Sequence, residues 1–391
     1  MAYVCCYNKN VAVIDMNEHK VVARIALDYI PHGACASPDG KKVYAVGGNK
    51  MTVIDTASNM AIANITVGNS AMDVAVSPDG KKAYVTNSND NTVSIIDTTT
   101  DAVIKTIGVG KTPWGITVNP ANGDVFVANS MDFNVMQLRN DNVYKTIQLG
   151  SGPFAGPSMG LRCTPDGSRL YVAMNGDDVV IDVDLSTYAK KTIPVKTQPE
   201  DISISRDGKT VYVTCMFGEN VSIIDTATDG VTKDFPMIAS LTASAIRPDG
   251  KMLYVSEGDH EVTVIDTLAY MVKTHIDIGS QGLNIAVANV VPASPTAGPS
   301  QAASPSPSQG SSGETQPSEQ APSQSPGGAS GGGATASPNA SGGVSPTSTV
   351  ISNQTPANAS DVSVSPKTSG LEIWLAVLGI IGATSILIKK D

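Results

Sequence analysis

Four histidines, His19, His32, His260 and His275, are the side chains of this sequence best suited to proton transfer or metal ligation. They are dispersed, with no HExxH pattern and no pair at ligand spacing. Cys5, Cys6, Cys35, Cys163 and Cys215 show neither CxxC nor Cys/His spacing suited to zinc, and read as small buried thiols. Asp177-Asp178 and the Asp182/Asp184 pair carry charge for a cation but lack the loop pattern of a calcium site; they read as a solvated turn and strand edge. There is no GxSxG elbow and no phosphate loop ending in Lys-Ser/Thr. No catalytic constellation emerges, so the expectation is a non-enzyme with no metal and no cofactor.

Binding chemistry is easier to place. Pro31-His32-Gly33, Pro113-Trp114-Gly115 and Pro199-Glu200-Asp201 are variants of one tripeptide, and alignment on it gives His32, Met72, Trp114, Met159, Glu200, Thr242 and Leu283 as equivalent positions. Before Met159 the chain inserts residues 150–158, GSGPFAGPS, which carry Phe154. Trp and Met on loops are typical contact residues, and loops on a rigid scaffold often carry function. His32, Met72, Trp114, Phe154, Met159 and Glu200 are therefore the candidate binding residues, expected around one mouth of a channel, where they would meet a protein or glycan partner or simply plug the opening.

The elements that position them repeat. Residues 83–107, AYVTNSNDNTVSIIDTTTDAVIKTI, alternate strand-forming runs with polar turns, as an antiparallel meander does. Upstream, the run Val74-Ala75-Val76 adds a fourth strand, and Ser77-Pro78-Asp79-Gly80 adds the tight turn after it. The second-strand aromatic recurs as Tyr3, Tyr44, Tyr84, Phe126, Tyr171, Tyr212 and Tyr254, spaced 40 to 45 residues apart. Asp55, Asp97, Asp225 and Asp266 end the third strands and read as turn residues bonding nearby backbone amides. Four strands per such period predict β-propeller blades. The first blade starts at its second strand, and Asn284-Ile285-Ala286-Val287 matches the missing first one. The expectation is an all-β, seven-bladed propeller over 1–291, closed by a C-terminal strand that completes blade one.

Tyr84-Val85-Thr86-Asn87, preceded by Ser77-Pro78-Asp79-Gly80-Lys81-Lys82, resembles the YVTN family of β-propeller repeats. The resemblance covers residues 1–291 and implies an archaeal cell-surface or surface-layer-like scaffold or recognition module, without implying a ligand.

The rest of the chain fits that picture. Residues 292–369 are rich in Ser, Pro, Gly, Ala and Thr, too poor in apolar surface to fold, and read as a disordered, mucin-like stalk. Sequons stand at Asn64, Asn220, Asn339, Asn353 and Asn358 as candidate glycosylation sites. Residues 370–391 include the apolar run 373–388 followed by Lys389-Lys390, expected to anchor the protein in a membrane with the propeller outside. Met1-Ala2-Tyr3-Val4-Cys5 is already strand, so export would need a signal lost from the assigned start. Residues 1–291 carry 23 Lys and Arg against 31 Asp and Glu, an acidic balance that disfavours nucleic acid. The expected function is a membrane-anchored surface protein for adhesion, envelope structure or ligand capture. The alternative is a propeller enzyme or cofactor-binding protein of lactonase-like or redox type.

Overall fold

The computed structural model describes residues 1–150 and 157–288, with backbone alone at 157–159. Phe154, the side chain of Met159, the sequons Asn339, Asn353 and Asn358, the stalk and the apolar tail lie outside the described residues. Among the described residues, no helix is long and apolar enough to cross a membrane.

The third blade shows how the sequence makes its sheet. Lys82–Asn87 and Thr92–Asp97 are buried almost throughout, as near-continuous apolar runs between two packed faces must be. The outer strand Ala102–Gly108 is exposed except for Ile107, its one anchor in the core. The same anchor is Ile25, Ile65, Ile147, Ile193, Phe235 and Ile276 in the other blades, each buried. A register shift between Ile95 and Ile96 kinks the pairing of the two outer strands, a device that blunts an open sheet edge. Ser77 Oγ donates to Asp79 Oδ1, which also accepts from Lys81 N, while Gly80 takes φ +72°. The third-strand aspartates bond as expected: Asp97 Oδ1 accepts from Thr99 N and Thr100 N, and Asp225 and Asp266 repeat the pattern.

Seven four-stranded antiparallel sheets result, and their inner strands pack one against the next in a closed ring. Blade one is completed by the last strand, Gly282–Val287, which pairs with Ala2–Cys6 and sets Tyr3 opposite Ala286. The Met1 amino group donates to Ala288 O at 3.1 Å, and Ala288 N returns a bond to Met1 O. The closed ring leaves no blade without a partner on either side.

Two expectations change. Asp182 is no solvated strand edge: it is buried against Arg169, which also engages Asp229 of the next blade at 2.5 Å. Asn220 is not open to glycosylation, because it is 4% exposed and its amide donates to Asp234 Oδ1 at 2.9 Å. Asn64 does lie on the surface.

Candidate functional site

The inner strands Gly33–Ala36, Ala71–Val76, Pro113–Val118, Pro157–Cys163, Pro199–Ile204, Leu241–Ile246 and Gly282–Val287 enter the channel from one face. His32 stands just before the first, and Met72, Trp114, Glu200, Thr242 and Leu283 are the second residues of theirs. The structure therefore brings these positions to one mouth. In six of the seven inner strands a register shift falls at this level, between Ala71 and Val74 for example. Such bulges re-aim the side chains beside them.

Two aromatic rings at the mouth carry nitrogen without a partner among the described residues. The His32 backbone N–H donates to Val46 O at 2.7 Å, but its imidazole makes no hydrogen bond, and burial alone holds its pKa below the ordinary value. Near neutral pH it is an uncharged imidazole with a lone pair to offer. Trp114 Nε1 is buried and unpaired, although the Trp114 carbonyl accepts from Thr86 Oγ1 at 2.7 Å. Met72 is 7% exposed and gives the mouth an apolar wall. Glu200 is buried and accepts from Asn175 Nδ2 at 2.7 Å; burial, then the charge of Asp201, pushes its carboxyl up to about 7.

One level deeper lies a set that the sequence reading did not single out. Asp73 Oδ1 and Oδ2 accept from Val74 N and, in the next blade, Ile116 N. Asp201 Oδ2 accepts from Ser244 N and Asn284 Oδ1 from Ala34 N, again across to the next blade. Opposite these carboxylates the neighbouring strands carry glycine by necessity. A Cβ on Gly33 would stand 2.6 Å from Asp73 Cα, and one on Gly160 would stand 2.7 Å from Asp201 Cα. Arg162 lies with them, its Nη2 4.0 Å from Asp201 Oδ1. Burial raises Asp73 to about 7 in spite of the lowering pull of Arg162 and the two backbone donors. Burial likewise raises Asp201, against the pull of Arg162. The signal was present in the aligned repeats: Asp73, Asp201 and Asn284 stand where other blades have Gly33, Gly115, Gly160 and Ala243.

Residues 2–115 match the family model of the Cytochrome D1 heme domain. That span carries His32, Met72, Asp73 and Trp114, though it is well under half of the chain. Over 130 residues the chain is 29% identical to the seven-bladed beta-propeller protein Rv1057 of Mycobacterium tuberculosis, covering 32% of this chain and 33% of that one. The match thus spans about a third of the relative's length. The fold is similar to that of Kuenenia stuttgartiensis hydrazine synthase (TM-score 0.60, 21% identity, 66% of this chain and 89% of that chain). It is also similar to a functionally unknown protein from Desulfotomaculum acetoxidans DSM 771 (TM-score 0.64, 18% identity, 73% and 97%). A third is the dihydro-heme d1 dehydrogenase NirN (TM-score 0.55, 15% identity, 73% and 74%). At these identities the three structures speak for the fold alone. The chain is a seven-bladed β-propeller.

These matches correct the functional expectation. The expectation of a non-enzymatic surface scaffold is overturned by the match of residues 2–115 to a haem-domain model. A search for dense metal-ligand sets does not test for a porphyrin-type group, which brings its own nitrogens and asks the protein for as little as one axial donor. Among the described residues no three His, Cys, Asp or Glu side chains gather as a metal site. A single unpaired imidazole at a channel mouth leaves no such mark.

Proposed function

We propose that this propeller is a cofactor-binding protein of redox type, holding a haem-like group at the mouth ringed by His32, Met72 and Trp114. The observation that carries the reading is the unpaired, neutral His32 imidazole, within the span that matches the haem-domain family. Bound there, such a group would supply one-electron chemistry.

The residues present suit that role. His32 would supply the nitrogen donor, and its suppressed basicity keeps the lone pair free near neutral pH. Met72 and Trp114 would cover an apolar ring face, with Trp114 Nε1–H available to an acceptor that no described residue provides. Glu200, poised near neutrality on Asn175, would hold or release a proton beside the group.

Titrating the purified full-length chain with haem, followed by absorbance, tests this. A saturable spectral shift is expected, with at least about tenfold weaker binding in His32→Ala, since losing a residue that merely supports a metal ligand already costs that much. No shift, or the same affinity in a folded His32→Ala variant, overturns the reading.

A further inference from the structure

The middle level of the channel is set by the residues that pair with the blade aromatics. Cys35, Ala75, Thr117, Arg162, Ser203, Ala245 and Ala286 face Tyr44, Tyr84, Phe126, Tyr171, Tyr212, Tyr254 and Tyr3 across their sheets. Six of these seven side chains are small, and Arg162 alone is long and charged. Its side chain is 34% exposed, although it rises from the innermost strand of its blade, so it extends into the channel space. Its charge reaches Asp201 in the next blade, Asp73 two blades away and the Cys35 thiol three blades away. Burial works against that charge, but Asp201 and then Asp73 more than compensate and hold Arg162 above its ordinary value.

Its hydrogen bonding is incomplete. Nη1 donates to Leu161 O at 3.0 Å, and Nη2 stops 4.0 Å short of Asp201 Oδ1, beyond hydrogen-bond reach. A guanidinium carries five N–H donors in a fixed fork that matches two carboxylate oxygens. Asp73 and Asp201 do not fill the fork: both Asp73 oxygens and Asp201 Oδ2 are turned to backbone N–H groups, and Asp201 Oδ1 stays 4.0 Å away. Below this level the strands end in Ala36, Val76, Val118, Cys163, Ile204, Ile246 and Val287, each partly exposed. A bare ion crosses such an apolar ring only at a large desolvation cost, so the mouth is the entry.

We propose that the channel binds a small carboxylate, held by the Arg162 guanidinium. This site is separate from the His32 mouth and does not depend on a cofactor being there.

The charge balance then requires a proton. The ionisable side chains of the inner strands are Cys35, Asp73, Arg162, Cys163, Glu200 and Asp201, with His32 at the mouth; the strands at 113–118, 241–246 and 282–287 contribute none. Burial holds both thiols protonated, Cys35 at about 11 and Cys163 higher still. Asp201 is the carboxylate nearest Arg162. Asp73 and Glu200 both rise to about 7, and because Glu200 sits one level up on Asn175, an entering anion is tolerated chiefly once Asp73 is neutral. With Asp73 at about 7, binding weakens about tenfold from pH 6 to pH 8.

Calorimetric titration of the full chain with sodium acetate, at matched ionic strength in buffers of different ionisation enthalpy, reads affinity and proton uptake together. Expected are saturable binding at pH 6, at least about three-quarters of a proton taken up per acetate near pH 7.5, and the tenfold loss by pH 8. Arg162→Gln, checked as folded by circular dichroism, should lose binding, and Asp73→Asn should bind with a much weaker pH dependence, only the share of Glu200 remaining. Absence of binding at pH 6, binding without proton uptake, equal affinity in folded Arg162→Gln, or undiminished pH dependence in Asp73→Asn would each overturn the proposal. If Arg162→Gln does not fold, the wild-type proton count alone decides. A negative haem titration with positive acetate binding would sink the mouth reading and leave this one standing.

Discussion

The hydroxyl of Tyr84 donates to the carboxylate of Asp141 in the following blade, 3.1 Å away. The relationship recurs around the ring: Tyr3 donates to Asn59 at 2.7 Å, Tyr171 to Asp229 at 3.3 Å, and Tyr254 pairs with His19 at 2.9 Å. Phe126 has no hydroxyl, and there Tyr188 supplies one to Gln137 at 2.8 Å. The receiving turn residues Asn59, Asp141, Asp229 and His19, with Tyr188, take φ between +51° and +61°. Asn, Asp and His tolerate that left-handed conformation better than most residues. One side chain thus fills two needs, the turn and the joint between blades.

Removing the hydroxyl in Tyr84→Phe should destabilise the protein by about 1.5–3 kcal/mol, the worth of a hydrogen bond to a charged group. Asp141→Ala should be worse than Asp141→Asn, because alanine loses both the bond and the tolerance of positive φ. Urea unfolding should show lower midpoints at unchanged slope.

Adding one methyl at Gly33 should be severe. The new Cβ would overlap Asp73 Cα and Met72 O at 2.6 Å, and both belong to backbone that cannot swing away. Gly33→Ala should lose about 1–3 kcal/mol, typical of overpacking, with Gly160→Ala comparable; thermal denaturation reads both.

Truncation before Gly282 should unfold more than one strand. It strips Ala2–Cys6 of its inner partner and opens the ring at blade one. The truncated chain should lose its cooperative thermal transition, whereas a chain with separate, self-sufficient blades would keep most of it.

Asp73 should impose a pH dependence on stability. Its carboxyl sits at about 7 in the folded chain against an ordinary value of 3.8, so between those values the folded state binds more protons than the unfolded one. Stability therefore falls as pH rises from about 4 to about 7, by at most about 4 kcal/mol for this group. The turn aspartates Asp39, Asp79, Asp166 and Asp207 are held low by Ser, Thr and backbone donors, so their contribution is lost only in more acid solution. Urea midpoints at pH 5 and pH 7.5 should differ less in Asp73→Asn than in the parent.

All five cysteines are free, and burial raises the pKa of each. A thiol reagent at pH 8 should therefore label the native chain slowly and all five sites rapidly in denaturant. Rapid labelling of native Cys35 would show that its side of the channel opens.

Periodicity in the residues was enough to determine the blades, the count of seven and the closure by residues 284–287. Each strand buries a local, repeating pattern, and repeats must pack on equivalent neighbours. The turn aspartates were equally plain, since their partners lie two or three residues away. The equivalence of His32, Met72, Trp114 and Glu200 could also be read, because position within a repeat sets position in the ring. What only the tertiary structure decided is what these residues lack or meet. The unpaired imidazole of His32, the orphaned Nε1 of Trp114 and the open fork of Arg162 are facts about every other group in the channel. Asp182 reads in the sequence as a solvated strand edge and Asn220 as a candidate sequon for the same reason, their burial coming from contacts outside their own turn. Asp73 and Arg162 stand 89 positions apart in the chain and share a charge environment only because the ring closes. Burial and Coulomb interaction depend on distance through space, and a single sequence records distance along the chain.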